Sequence, residues 1–306
     1  MEVSQVPEQL ITIADYIRYS FSSFNKEQVF FGHGTDNSWD EAVSLVLQVL
    51  ELPWDFDKEL WSCRLTTKEC QGILEALDKR INKRIPLAYI TQKAWFCDYE
   101  FYVDERVLIP RSPIAELIQN NFAPWADFEL EAPEFILDLC TGSGCIGIAC
   151  ALAYEDADVD LIDISEDAIQ VANKNIMAYE LQNRVRTIQS DGFKALNQEY
   201  KGKYKLIVSN PPYVDKTDFS SMPEEFKSEP ELGLVSGDDG LYLVKQILSQ
   251  AANFLTDDGL LVVEVGNSWV ALEDAYPEFP FMWVDFEFGG HGVFVIRADE
   301  LKQHAW

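Results

Sequence analysis

The chain has 306 residues, of which 47% are hydrophobic and 25% charged, so it can bury a core and is long enough for two domains. Its 52 acidic residues face 24 basic ones, and the formal charge of -28 argues against stable binding to nucleic acid, which needs a basic surface. The charge fits a basic protein partner, and it fits equally well a role in solubility or adaptation to a salty cytoplasm.

Cysteine content and hydropathy exclude further classes of protein. Six cysteines without a Cys-x-x-Cys pair, together with only three histidines, predict neither a disulfide framework nor a metal site. No apolar run approaches the ~18 residues of a membrane span, and the acidic start is unlike a signal peptide. We therefore expect a cytoplasmic protein that binds no membrane and whose cofactor, if it has one, is organic.

Residues 1–90 are predicted to form a small helical domain. Apolar side chains recur at helical spacing, and Thr66-Thr67-Lys68-Glu69 has the form of a capping box. Residues 91–112 change to the aromatic and β-branched pattern of a β-hairpin, which we interpret as a linker between domains.

Residues 113–306 alternate strands, turns and helices. This pattern predicts an α/β domain of the doubly wound kind, with a mostly parallel seven-stranded sheet covered on both faces. The predicted strand cores are 135–137, 159–162, 185–188, 206–208, 260–263, 283–286 and 293–296.

A glycine-rich loop follows the first strand of this domain and opens a helix. Its glycines, Gly142 and Gly144, let the backbone approach a ligand, and the start of the helix offers unpaired N–H groups. Asp163 ends the next strand, 21 residues after Gly142, where its carboxylate can accept hydrogen bonds from both ribose hydroxyls. The spacing predicts a ligand that contains a nucleoside.

Two further acidic residues refine the identity of that ligand. The glycines also match the dinucleotide fingerprint Gly-x-Gly-x-x-Gly, so a nicotinamide enzyme is an alternative. Asp138 disfavours it, because a carboxylate there suits the ammonium group of a methionine moiety and repels a pyrophosphate. Asp191 follows the third strand, where it can accept from an adenine amino group while Gly192 and Phe193 bound the ring.

The loop after the fourth strand reads Asn210-Pro211-Pro212-Tyr213. An amide or aniline-like nitrogen is a poor nucleophile, so its site must accept hydrogen bonds from the NH₂ group and orient the lone pair. The Asn210 side-chain oxygen and the Pro211 carbonyl are two such acceptors, the prolines stiffen the loop, and Tyr213 can pack over the planar group. The loop predicts methyl transfer to a planar nitrogen by orientation, without a strong base.

Together these motifs resemble the HemK-type protein glutamine methyltransferases over nearly the whole chain. The resemblance implies a class I, Rossmann-like methyltransferase domain, a helical domain that recognises the substrate, and S-adenosyl-L-methionine as cofactor. It implies that Asn210 to Tyr213 hold the substrate glutamine and that the cofactor contacts Asn210, Asp163 and the loop residues Cys140, Thr141, Gly142, Ser143 and Gly144. Gly192 departs from the release-factor branch, which carries tryptophan there.

Within that family the sequence is most similar to the branch that acts on ribosomal protein three of the large subunit. The similarity lies in segments 31–37, 94–97, 107–113 and 264–268 and in Cys140 of the loop. It implies methylation of a glutamine in a basic ribosomal protein. Release-factor glutamine methylation, adenine-amino methylation of nucleic acid and a non-catalytic role in ribosome assembly are the alternatives.

Overall fold

The computed structural model describes residues 10–304, which fall into two compact units. The first unit ends at Ala94 and also includes Pro223–Ser228. The second comprises Trp95–Met222 and the chain from Glu229 onward. The six residues Pro223–Ser228 thus belong to the first unit, although the chain on either side of them belongs to the second. The predicted boundaries at residues 90 and 112 did not include this excursion of the chain.

The first unit is helical, as its sequence pattern predicts. Thr66 and Glu69 form the predicted capping box, and Thr12 with Asp15 forms another. The helices bury their apolar sides against one another around fully buried residues such as Phe24 and Leu45. The helices are α1 (Ile13–Lys26), α2 (Ser38–Val49), α3 (Thr67–Asn82) and α4 (Leu87–Thr91), with a 3₁₀ helix at Lys58–Ser62.

The segment Pro223–Ser228 is part of this unit through polar and aromatic contacts. The Glu225 carboxylate accepts a hydrogen bond from the backbone N–H of Phe30 at 3.1 Å and lies 3.5 Å from the buried Arg80 guanidinium. The Phe226 ring packs against Phe30 and His33, with centroids 5.6 and 4.3 Å away. A sequence pattern cannot reveal these contacts, because the partners lie far apart in the chain, 195 residues in the case of Phe30 and Glu225.

The second unit contains the predicted mostly parallel sheet of seven strands, in the order β5-β4-β3-β6-β7-β9-β8. Strands β3 to β7 pair in parallel, whereas β9 is antiparallel to both β7 and β8. Its strands are β3 (Phe135–Leu139), β4 (Asp158–Asp163), β5 (Val185–Gln189), β6 (Tyr204–Ser209), β7 (Leu255–Glu264), β8 (Met282–Trp283) and β9 (Val293–Arg297). The predicted hairpin region holds β1 (Lys93–Phe96) and β2 (Tyr99–Tyr102), paired as a separate two-stranded sheet.

Helices cover both faces of the large sheet. Successive strand residues such as Ile136 and Leu137 are fully buried in separate apolar clusters, because their side chains point to opposite faces. The helices are α5 (Ile114–Gln119), α6 (Cys145–Ala153), α7 (Glu166–Ala178), α8 (Lys216–Ser221), α9 (Tyr242–Ala251), α10 (Trp269–Ala275) and α11 (Ala298–Gln303). The carboxyl ends of the parallel strands meet at one edge, which is where such folds bind ligands.

Two details complete the fold. The strand predicted at 283–286 is shorter than expected: β8 ends at Trp283, although the Val284 N–H still donates to the Val293 carbonyl at 2.9 Å. Cys145 and Cys150 are buried packing residues of the sheet core. Between residues 10 and 304, none of the helices has the length and apolarity that crossing a bilayer requires.

Candidate active site

The loop after β3 is open on one side and tied to β4 on the other. Cys140 and Gly142 have φ angles of +60° and +56°, and a side chain added at Gly142 would meet nothing within 4 Å. The Gly142 N–H donates to Asp163 Oδ2 at 2.9 Å, and the Thr141 N–H donates to the Ile162 carbonyl at 3.0 Å. The loop therefore presents bare backbone to a ligand, as Gly142 predicts.

Asp163 ends β4 beside this loop. Its Oδ2 accepts from Gly142 and its Oδ1 accepts from the Ser165 N–H at 2.9 Å. Burial raises the pKa of this carboxyl, and the backbone hydrogen bonds partly oppose that shift. The two oxygens have four lone pairs between them and accept from the backbone N–H groups of Gly142, Ser165 and Ile164, so the carboxylate retains an acceptor position for a hydroxyl group of a ligand.

Asp138 lies in β3, just before the loop. It is fully buried and is not among the residues that line the cavity described below. Its Oδ2 accepts from Thr141 Oγ1 at 2.6 Å and from the Gly147 N–H at 2.9 Å, and burial raises its pKa to about 7. Oδ2 thus supports the loop against the start of α6, whereas Oδ1 is buried without a hydrogen-bond partner in residues 10–304, so the expected contact with a methionine ammonium stays a prediction.

The turn after β5 brings Asp191 and Gly192 to the same edge of the sheet. Asp191 Oδ2 accepts from Lys194 Nζ at 2.5 Å, and the Gly192 carbonyl accepts from Ser190 Oγ at 2.8 Å. Phe193, which we expected to bound an adenine ring, instead stacks on Phe254 in the core with centroids 4.7 Å apart. Asp191 and Gly192 therefore form the wall at this turn without Phe193.

The loop after β6 carries the proposed substrate residues. Ser209 Oγ donates to the Leu139 carbonyl at 2.7 Å, which ties this loop to the loop after β3. The Asn210 Oδ1 atom is buried and has no hydrogen-bond partner within residues 10–304. Pro211 is buried, and the Tyr213 hydroxyl donates to Glu264 Oε1 at 2.8 Å.

One cavity of about 280 Å³ joins these loops within the second unit. The predicted residues that line it share the carboxyl edge of the sheet: Cys140, Thr141, Gly142, Ser143, Asp163, Asp191, Gly192, Asn210 and Pro212. Gly144, Pro211 and Tyr213 support the same loops without lining the cavity. Asn210, whose buried Oδ1 has no partner in the described chain, thus lines the same cavity as the exposed backbone of the first loop.

Another part of the wall is Arg106–Ser112, where sequence reasoning expected only that Arg111 braces the substrate loop or pairs with local carboxylates. Glu229 forms two hydrogen bonds with the Arg111 guanidinium, at 2.6 and 2.8 Å, and accepts from the Ile109 N–H at 3.0 Å. Glu264 accepts from Ser112 Oγ at 2.6 Å. The available signal for Glu264 was an acidic residue at the carboxyl end of a buried strand, the position that also identified Asp163.

Comparisons with known proteins show which family the chain belongs to. A family model described as "Methyltransferase small domain" matches residues 127–229. The chain is 50% identical to the "Ribosomal protein uL3 glutamine methyltransferase" of Francisella tularensis, over 96% of this chain and 93% of that protein. It is 45% identical to the protein of the same name from Neisseria gonorrhoeae, over 97% and 98% of the two chains.

Among solved structures, a methyltransferase from Pyrococcus furiosus is 14% identical, with a TM-score of 0.45, over 65% of this chain and 88% of that one.

The residues at the cavity fit S-adenosyl-L-methionine. Asp163 keeps an acceptor position for a ribose hydroxyl, the backbone at Gly142 is open to a ligand, and Asn210 Oδ1 is a buried acceptor without a partner between residues 10 and 304. S-adenosyl-L-methionine is the methyl donor of this chain, which belongs to the family of ribosomal protein uL3 glutamine methyltransferases.

Proposed function

We propose that the chain methylates the side-chain amide nitrogen of a glutamine in ribosomal protein uL3. The observation that carries this proposal is the buried Asn210 Oδ1 atom, which lacks a hydrogen-bond partner in the described residues and belongs to a residue that lines the cavity. A buried acceptor without a donor is unfavourable, so its retention indicates that a ligand supplies the donor. The NH₂ group of a glutamine side chain is a donor of this kind.

The residues of the loop bind and orient this amide. Asn210 Oδ1 and the Pro211 carbonyl accept hydrogen bonds from its two N–H groups, which fixes the amide plane so that the nitrogen lone pair, perpendicular to that plane, faces the methyl donor. Pro211 and Pro212 limit backbone motion and present no N–H groups that would compete for the acceptors. S-adenosyl-L-methionine, when bound, would supply an electrophilic methyl group and leave as the neutral thioether, while the amide nitrogen would release one N–H proton, which is strongly acidic once the nitrogen carries four substituents. Positioning is then the main contribution to the rate, with no strong base needed.

The residues that would hold the cofactor come from the loops after β3, β4 and β5. Cys140 to Ser143, supported by Gly144, provide the backbone cradle, Asp163 accepts from the ribose, and Asp191 with Gly192 forms the adenine side of the cavity. The first two of these groups are already hydrogen-bonded to each other through Gly142 and Asp163, so the cradle exists before a ligand binds.

A basic ribosomal protein also suits the charge distribution. Acidic and basic residues are nearly balanced within residues 10–94, whereas acidic residues greatly exceed basic ones in the second unit. The excess favours attraction of a basic substrate towards the unit that carries the cavity. We propose that the helical unit recognises the substrate and that the reaction takes place in the cytoplasm.

The test is a direct methylation assay with purified components. The enzyme is incubated with methyl-labelled cofactor and, separately, with uL3, a release factor, DNA and RNA, and modified residues are identified by mass spectrometry. We expect label on one uL3 glutamine. Asn210→Ala should reduce transfer roughly 100- to 1000-fold, comparable to removal of one preorganised hydrogen-bonding group from an active site, while cofactor affinity changes much less.

Asn173→Ala is the matched control, because Asn173 is an exposed asparagine on α7, and it should leave transfer unchanged. Label on a release factor or on nucleic acid in place of uL3 would reject the proposed substrate. Wild-type transfer by Asn210→Ala would reject the proposed role of the asparagine.

A further inference from the structure

Three contacts from one short segment hold Tyr213, the last residue of the substrate loop. Its hydroxyl donates to Glu264 Oε1 at 2.8 Å, and its carbonyl accepts from Ser268 Oγ at 2.7 Å. Its ring lies against Gly266, where an added Cβ would come within 2.5 Å of Tyr213 Cε2. Segment 264–268 starts at the end of β7, the neighbour of β6 in the sheet. Tyr213 is therefore fixed at its hydroxyl, ring and carbonyl.

Glu264 also holds the opposite wall of the cavity. Its second oxygen, Oε2, accepts from Ser112 Oγ at 2.6 Å, and Ser112 lines the cavity. The same Ser112 oxygen accepts from the Ile114 N–H at 3.2 Å, at the start of α5. One carboxylate thus joins the substrate loop to the wall segment, with one oxygen for each.

Glu264 lies in a buried environment that is unfavourable for an acidic side chain with only a packing role. It is 5% exposed, and burial raises its pKa against the opposing effect of the Ser112 and Tyr213 hydrogen bonds. A buried carboxyl group is unfavourable unless hydrogen bonds compensate it, so an apolar residue would pack there at lower cost. What glutamate adds is a pair of acceptors that point in two directions.

We propose that Glu264 is a positioning residue for methyl transfer: it fixes Tyr213 relative to Ser112 and thereby holds the Asn210 side chain and the Pro211 carbonyl in the orientation that receives the glutamine amide. This inference rests on the proposed function. Only two prolines separate Asn210 from Tyr213, and their restricted φ angles transmit a displacement of Tyr213 to Asn210.

The test compares Glu264→Gln and Tyr213→Phe with wild type. Glutamine keeps the size of the side chain, but its NH₂ group can only donate, so one of the two hydroxyl groups must turn to accept from it and its contact with residue 264 reverses direction. We expect kcat to fall about 10- to 100-fold in each variant, as for a displacement of about 1 Å in a positioned group. Cofactor Kd should stay within about 2-fold of wild type, because this loop carries only one of the cofactor contacts.

Tyr204→Phe is the matched control. The fully buried Tyr204 starts β6, and its hydroxyl donates to the Asp160 carboxylate at 2.7 Å, so the variant loses the same kind of bond at the other end of the same strand. It should lose stability but keep the wild-type kcat. If Glu264 has only a structural role, Glu264→Gln will lose stability but keep the wild-type kcat, as the control does. That result would overturn the proposal.

The double variant Glu264→Gln/Tyr213→Phe tests whether Glu264 acts through Tyr213. We expect its kcat to match the poorer single variant, whereas multiplied losses would overturn the proposed connection. The ¹³C resonance of Tyr213 Cζ, assigned with Tyr213→Phe, reports the hydroxyl contact without any substrate and should shift in Glu264→Gln. If the enzyme is inactive on uL3 but the Tyr213 resonance still shifts in Glu264→Gln, the proposed function is rejected. The contact between Glu264 and Tyr213 is then still supported.

Discussion

The two loops of the active site are held in different ways. The loop after β3 is fastened by carboxylates that accept from backbone N–H groups of the protein itself: Asp163 binds Gly142, and Asp138 binds Gly147. The loop after β6 is fastened mainly at its last residue, Tyr213, through the side chains of Glu264 and Ser268. In the first loop acidic groups stabilise the backbone, whereas in the second they orient a side chain.

This difference separates the two tasks of the enzyme. The cofactor loop is preorganised by its own hydrogen bonds, so changes there should alter folding and cofactor affinity. The substrate loop keeps the Asn210 oxygen available for the substrate, because its support comes from the neighbouring strand end. Changes in that support should lower kcat while cofactor affinity remains. Variants on each side can break or sharpen this comparison.

The largest effect is expected for Asp163→Ala in the cofactor half. The variant loses the acceptor for the Gly142 and Ser165 N–H groups as well as for the ribose. Hydrogen bonds to charged groups contribute about 1.5–3 kcal/mol each, so we expect cofactor Kd to rise at least about 100-fold in calorimetric titration. Glu166→Ala, which removes an exposed carboxylate at the start of α7, is the control. Unchanged cofactor affinity in Asp163→Ala would contradict the comparison.

Asp138 provides a test based on pH. Its pKa is raised from 3.8 to about 7, so the folded protein keeps the proton between these values while the unfolded chain releases it. This contribution to stability is present below about pH 4 and is lost as pH rises through 7. From pH 5 to 8 the ligand-free wild type should lose roughly 2–3 kcal/mol of unfolding free energy relative to Asp138→Asn. If the unfolding free energies of wild type and Asp138→Asn, measured with denaturant, differ by the same amount at every pH, Asp138 is ionised in the folded protein.

The smallest of these effects is expected for Gly266→Ala in the substrate half. The φ angle at this position is +44°, and the added methyl group would press on the Tyr213 ring. We expect kcat to fall about 10-fold and stability to fall by about 1–3 kcal/mol, as for other overpacked sites. Gly202→Ala has a similar φ of +62° and its nearest neighbour at 4.0 Å, so it should lose stability but not kcat. Equal kcat in the two variants would mean that the Tyr213 ring position does not matter.

Residues that act locally were predictable from sequence, and residues that act across the fold were not. The strand-loop-helix order placed Gly142, Asp163, Asp191 and Asn210 at one edge of the sheet, because the carboxyl ends of parallel strands must meet there. The direction of a side chain at that edge does not follow from its position in the order. Asp138 and Phe193 therefore stood in the expected loops but turned into the interior.

The supporting residues needed three-dimensional information. Glu264 is 51 residues from Tyr213 and 152 from Ser112, and no periodicity links the three. Similarly, Glu229 is 118 residues from Arg111, and only the tertiary structure shows their two hydrogen bonds. A rule that considers every acidic residue at a strand end would have found Glu264 together with Asp163.

The excursion at Pro223–Ser228 constrains how this protein can be divided or recombined. A cut after Ala94 does not release an independent catalytic module, because the remainder keeps a six-residue stretch that belongs to the helical unit. In that fragment Glu225 would lack the Arg80 guanidinium, and the Phe226 ring would lose Phe30 and His33 as neighbours. An exchange of helical units between relatives would have to carry both stretches of chain, so the two are expected to be inherited as one block.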